Sequence, residues 1–163
     1  MKLVLATDTM LTKLIGRLPA GLHRPFHLLG IVFQPAGWGL LLLVYILLSL
    51  PTSAADAWLI LLLLPAATLI KLLFRRTRPP TIYAENMRVK SYSFPSSHAY
   101  AAALAGTYFA SQALDHDIGW LAGLSYTLIV VIGTSRVHLG AHYPSDVMFG
   151  WIMGAAICGV ILW

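Results

Sequence analysis

The stretch SRVHLGAHYPSD, residues 135–146, lies between two long apolar runs, and its reading decides the fold. Residues 118–134 upstream carry no charged side chain, and residues 147–163 downstream carry none. A helix needs about 20 apolar residues to cross a bilayer. Two such runs joined by a short polar connector read as two spanning helices. They reach and leave the membrane on one face.

Working outward, three more apolar runs appear, so the chain reads as an all-α, multi-pass transmembrane helical bundle. About five spans are expected, at 29–50, 57–74, 98–114, 118–135 and 145–163. The first contains Gln34 and Pro35 in its early half, and the third is rich in Ala and Gly. Hydrophobic residues make up 58% of the chain and charged ones 10%, against about a quarter charged in soluble domains. Trp38, Trp58, Trp120 and Trp163 fall near span ends, where interfacial anchors belong, whereas Trp151 reads as packing. Residues 1–28 alternate Leu5, Met10, Leu11, Leu14, Ile15 and Leu18 with Lys13 and Arg17. That spacing predicts an amphipathic helix on the membrane surface, broken by Pro19, Gly21 and Pro25. The whole is expected to be one domain, 1–163, with an interfacial segment at 1–28 and a transmembrane core at 29–163.

Ionisable residues beside apolar spans are costly and therefore functional candidates. They form three clusters: KLLFRRTRP (71–79), PSSH (95–98) and SRVHLGAHYPSD (135–146). Because spanning helices alternate direction, the end of the second span, the start of the third and the 135–146 connector share one membrane face. The clusters supply the cations Lys71, Arg78 and Arg136, the histidines His98 and His142, and the carboxylate Asp146. This is the chemistry of a phosphate-ester hydrolase. Lys71 and Arg78 are seven apart and share a helix face if the helix persists that far, with Lys71 snorkelling towards the polar end. Ser96 and Ser97 precede an Ala-rich helix and offer N-cap chemistry and free N–H groups for a phosphate. Pro144 suits the first turn of the last helix, placing Asp146 in that turn and His142 just outside it.

These spacings resemble the type-2 phosphatidic acid phosphatase superfamily, whose pattern is Lys-x6-Arg-Pro, Pro-Ser-Gly-His and Ser-Arg-x5-His-x3-Asp. The first and third elements match completely, and the second carries Ser97 where the family usually has glycine. The resemblance implies a lipid phosphatase. His142 would form a phosphohistidine, and Asp146 would hold its tautomer. His98 would protonate the leaving oxygen and later activate water. Lys71, Arg78 and Arg136 would clamp the phosphoryl oxygens, with Ser96 donating its hydroxyl and Ser97 its backbone N–H. Glycine at position 97 would serve either a positive φ or a close approach to phosphate, and serine keeps the N–H.

No metal or other cofactor is expected: the single Cys158 forms no Cys/His metal spacing and no internal disulfide. The net charge of +5 is not arranged as a nucleic-acid stripe, so the expected partners are membrane lipids and a lipid phosphate. Arg88 and Lys90 are expected at the rim. Phosphatidic acid, phosphatidylglycerol phosphate, prenyl diphosphates and phosphorylated glycolipids all qualify as substrates. The start, MKLVLATDTM, does not read as a signal peptide. All eleven Lys and Arg fall on the active-site side of a five-span topology. The positive-inside rule therefore points that face towards the cytoplasm of a cell (inner or plasma) membrane, although many relatives resemble the reverse. Two alternatives stand beside this reading: a vanadium haloperoxidase-like enzyme, and a small membrane transporter or scaffold.

Overall fold

The computed structural model describes residues 2–48, 55–85 and 91–163. Regular structure among them is helical throughout. Helix α1 (Lys2–Ile15) leads through a 3-10 turn (Ala20–Leu22) into α2 (His23–Val32) and α3 (Pro35–Leu48). Next come α4 (Ala55–Leu63), α5 (Ala66–Phe74) and the single turn α6 (Ile82–Glu85). Three long helices finish the chain: α7 (Ser97–Asp115), α8 (Gly119–His138) and α9 (Pro144–Leu162).

Helix α7 is the axis of the bundle and packs most extensively on α8 and α9. Its small residues Ala99, Ala101, Ala102, Ala103 and Ala105 are buried, as are Tyr100 and Tyr108. The α9 glycines let the two backbones meet. A Cβ on Gly150 would lie 2.9 Å from the Ser96 carbonyl oxygen, and one on Gly154 2.5 Å from that of Tyr100. This close approach brings the PSSH segment to the end of α9 that carries Asp146.

Ala55–Phe74, Gly119–His138 and Pro144–Leu162 are long and apolar enough to cross a membrane. The 3-10 turn with α2 and α3 forms a further span only if a pair bent by 52° is counted as one. The bend falls at Phe33–Pro35, where Pro35 begins a new helix. The third expected span is α7. It is long enough but is not among the helices apolar enough to qualify, because its sequence is rich in Ala, Ser, Thr and Tyr rather than in large aliphatic residues. Lipid-facing apolar surface lies elsewhere, on Leu47, Leu62, Leu73, Ile152 and Val160, all well exposed. The chain is a helical membrane protein.

Several local expectations change. Pro25 does not break a helix; it lies in the first turn of α2, where its missing N–H costs nothing. Trp38 is no interfacial anchor: it is 3% exposed and sits between Phe33 and Phe109. Helix α5 stops at Phe74, because Arg75 turns left-handed (φ 47°) and its N–H returns to the Lys71 carbonyl. Arg78 is thus reached by non-helical chain, not by two further helical turns above Lys71. Helix α1 exposes Met10 and Leu14 but packs Ile15 against Val137 and Val147. Of the residues expected at the rim or in the apolar stripe, Arg88, Lys90 and the side chain of Leu5 lie outside the described residues.

Candidate active site

The third cluster is a helix end followed by a reversal. Helix α8 closes at His138, and Gly140 turns the chain with φ +69°. That left-handed position favours glycine. The N–H groups of Ala141 and His142 both return to the Arg136 carbonyl, at 3.0 and 3.3 Å. Thr81 Oγ1 donates to the Gly140 carbonyl at 2.9 Å and holds the turn against α6. The Arg136-to-His142 spacing is thus one capped reversal. Pro144 then starts α9 and Asp146 caps it, its Oδ2 accepting from the Tyr143 N–H at 2.9 Å.

His142 is 2% exposed and Asp146 fully buried. Nε2 of His142 lies 3.2 Å from Nη1 of Arg78. A guanidinium only donates, so Nε2 is the acceptor and the ring proton is assigned to Nδ1. Nδ1 faces Asp146 Oδ2 at 3.6 Å, beyond hydrogen-bonding range, and has no other partner among the described residues. Burial pushes the His142 imidazole down to about 4. Asp146 opposes this as a nearby negative charge, while Lys71 and Arg78 add to it. The ring is therefore neutral at physiological pH, with a lone pair on Nε2.

The cations converge through backbone carbonyls. Lys71, 4% exposed, donates Nζ to the Tyr92 carbonyl at 3.0 Å. Arg78 reaches the same carbonyl at 3.4 Å, and also donates to Ala141 O at 2.7 Å and Ser91 O at 2.9 Å. Arg136 donates to Phe26 O at 2.9 Å. Its guanidinium lies so close to Gly30 that any side chain there would collide with it. His98 Nε2 also meets α2, donating to Gly30 O at 3.1 Å, which leaves Nδ1 unengaged by that bond. Ser96 is the N-cap of α7, accepting from Ala99 N, while its own N–H donates to Asp146 O at 3.0 Å. Ser97 follows as the first helical residue without a positive φ, so its backbone does not require glycine.

The three clusters therefore meet, and they bring residues that the motif spacings do not mark. Arg76 donates Nη1 to Asp146 Oδ1 and to Ser145 Oγ, both at 2.7 Å, and its Cζ stands 4.2 Å over the Tyr143 ring. Its Nη2 donates to Asp8 of α1 at 2.7 Å. Read from sequence, Arg76 is a topogenic charge; its place two residues before Arg78 is the only hint. Gly30 and Asp8 have no sequence signal. His138, outside the motif positions, pairs with Ile15 O at 3.2 Å. A cavity of about 570 Å³ opens beside Arg78, bordered by Arg76, Arg78, Pro79, Ser91 and Tyr92. No group of three His, Cys, Asp or Glu among the described residues could hold a metal ion.

Comparison with known proteins gives the family and the fold. The sequence pattern of the PAP2 superfamily matches residues 38–163. Over 99 residues the chain is 35% identical to the decaprenylphosphoryl-5-phosphoribose phosphatase of Mycobacterium tuberculosis, covering 58% of this chain and 51% of that protein. Over 66 residues it is 35% identical to the undecaprenyl-diphosphatase of Sulfolobus acidocaldarius, covering 40% of this chain and 30% of that one. The match thus spans about half the length of the mycobacterial relative and less of the archaeal one. The fold is similar to that of a transmembrane PAP2-type phosphatidylglycerolphosphate phosphatase from Bacillus subtilis. The TM-score is 0.77 at 20% identity, over 99% of this chain and 86% of that one. It is also similar to LpxE of Aquifex aeolicus, with TM-score 0.71 at 23% identity, over 94% and 92% of the two chains.

Proposed function

The chain belongs to the PAP2 superfamily, and from that premise we propose that it is a membrane-embedded lipid phosphate phosphatase working through a phosphohistidine. The observation that carries this reading is the pairing of His142 with Arg78 on one side and Asp146 on the other. A nucleophilic nitrogen needs a lone pair aimed at the phosphoryl group, an orienting carboxylate and a cation for the phosphoryl oxygens. All three meet at one buried ring.

In the proposed reaction the terminal phosphoryl group enters between His142 and the cations. Arg78, Arg136 and Lys71 bind its oxygens, and the Ser96 hydroxyl and Ser97 N–H add neutral donors. Nε2 of His142 attacks phosphorus, and the P–O bond to the lipid breaks. His98, protonated on both ring nitrogens once the anionic phosphoryl group is bound beside it, gives the leaving oxygen its Nδ1 proton and keeps its Nε2 proton on Gly30 O. His98 then takes a proton from water, which cleaves the P–N bond and releases inorganic phosphate. Gly30 O engages Nε2 of His98, so Nδ1 is the nitrogen we assign to this proton traffic. Asp146 offsets the positive charge that develops on His142.

Two relatives are named for phosphatases of prenyl-linked phosphates, and we favour that substrate class. We read residues 1–163 as one domain, with 1–28 as its interfacial segment and 29–163 as its transmembrane core. The active-site face is assigned to the cytoplasm from the absence of Lys and Arg in 51–56 and 115–117. The test is release of inorganic phosphate by purified protein in EDTA, from a panel of prenyl diphosphate, phosphatidylglycerol phosphate and phosphatidic acid. Release from at least one, fastest from the prenyl substrate, is expected. No release from any of them would refute the lipid phosphatase reading.

A further inference from the structure

Helix α1 sends a carboxylate into the site from outside the three motifs. Its outward residues are apolar: Met10 is 67% and Leu14 56% exposed. Asp8 on the same helix is 3% exposed. Its Oδ2 accepts from Nη2 of Arg76 and from Ser145 Oγ, both at 2.7 Å. Its Oδ1 accepts from the Ser145 N–H at 2.8 Å. The other amino group of Arg76 donates to Asp146 at 2.7 Å. Two buried carboxylates thus share the two prongs of one guanidinium.

Packing alone does not call for this. A buried ion pair is weak evidence for stability, and an apolar side chain would dock α1 at lower desolvation cost. The charge balance is more informative. Arg76 alone would neutralise Asp146 and leave no net charge behind His142. With Asp8 present the trio Asp8, Arg76 and Asp146 carries one net negative charge. The fork is also fixed at both ends, so Asp146 Oδ1 is held while Oδ2 faces the imidazole.

We propose that Asp8 is a positioning residue of the active site, acting through Arg76 to hold Asp146 in place and to keep negative charge behind His142. The packing of α1 against the bundle is then part of the catalytic arrangement. The kinetic arm of the test rests on the lipid phosphatase reading; the spectroscopic arm does not.

Asp8→Asn is the informative variant, because it is isosteric and still accepts from Ser145, whereas Asp8→Ala would strand all three donors. In detergent micelles with a lipid phosphate, kcat is expected to fall about 10–100-fold with KM within about 2-fold. Asp8→Glu, which keeps the charge, is expected to recover most of it. Arg76→Met is expected to be slow, and adding Asp8→Asn to it to change kcat by less than about 2-fold. Imidazole 15N spectra need no turnover. They are expected to show His142 protonated on Nδ1 in the parent and a mixture of tautomers in Asp8→Asn. Unchanged kcat together with an unchanged His142 spectrum would overturn the proposal. So would a loss that multiplies with that of Arg76→Met. If the parent hydrolyses no lipid phosphate, the phosphatase reading fails, and the spectra alone decide the role of Asp8.

Discussion

Nε2 of His142 and Nη1 of Arg78 stand 3.2 Å apart, and that contact sets the tautomer of the imidazole. Since arginine has no lone pair to offer, the proton must sit on Nδ1, towards Asp146. In the proposed mechanism Arg78 thus also prepares His142 for attack. A phosphoryl oxygen arriving at Arg78 would take over the N–H and release the lone pair beside the phosphorus.

Asp146→Asn keeps the shape and removes the charge. It also weakens the hold of Arg76, which donates to Oδ1 at 2.7 Å. We expect kcat to drop by about 10²–10⁴-fold with the fold intact, by analogy with other histidine–aspartate pairs. Steady-state phosphate release and a thermal melt on the same preparation check both parts.

Acid should destabilise the protein through His142. In the unfolded chain the imidazole titrates near 6.5; in the fold, burial holds it at about 4. Between those values the unfolded state binds the extra proton. The contribution is therefore fully present above pH 6.5, lost as pH falls towards 4, and flat below. Its size is roughly 3 kcal/mol. Melting temperatures from pH 7.5 to 4, compared with His142→Ala, measure it: the parent should fall more steeply, and parallel curves would contradict the assignment.

Gly154→Ala tests the α7–α9 seam. The added methyl would lie 2.5 Å from the Tyr100 carbonyl oxygen, which is backbone and cannot swing aside. Overpacking of this kind costs about 1–3 kcal/mol. A clear drop in melting temperature is expected, whereas Gly159→Ala, with open space at its Cβ, should melt like the parent.

Orientation can be read with the single native thiol removed. In a Cys158→Ser background, Glu85→Cys marks the active-site end and Asp115→Cys the opposite end of α7. Ser53, in the other far connection, lies outside the described residues. An impermeant thiol reagent on intact cells should label Asp115→Cys and spare Glu85→Cys until the membrane is opened. The reverse pattern would show an outward-facing site and override the charge bias.

Much of the site was legible before any coordinates. Span counting alone brings Lys71–Arg78, Ser96–His98 and Arg136–Asp146 to one face, and N-cap and proline chemistry place Ser96 and Asp146. What stayed hidden depends on three-dimensional company. Arg76 reads as one more charge after an apolar run until Asp8, 68 positions earlier, closes on it. Gly30 matters only because the Arg136 guanidinium rests against it. The sequence reads α7 as a span because its alanines are apolar, although a helix so rich in small residues serves as an enclosed axis. The early stop of α5 turns on the left-handed Arg75, a conformation that side-chain type does not announce.

The central claim is that His142 carries the phosphoryl group. The most direct measurement is a rapid acid-free quench of the protein with a 32P-labelled lipid phosphate, followed by mapping of the labelled peptide. We predict a label on the peptide containing His142, lost in acid and stable in base as a phosphoramidate is, and absent from His142→Ala. A turnover-competent enzyme whose label is acid-stable, or persists in His142→Ala, would contradict the account.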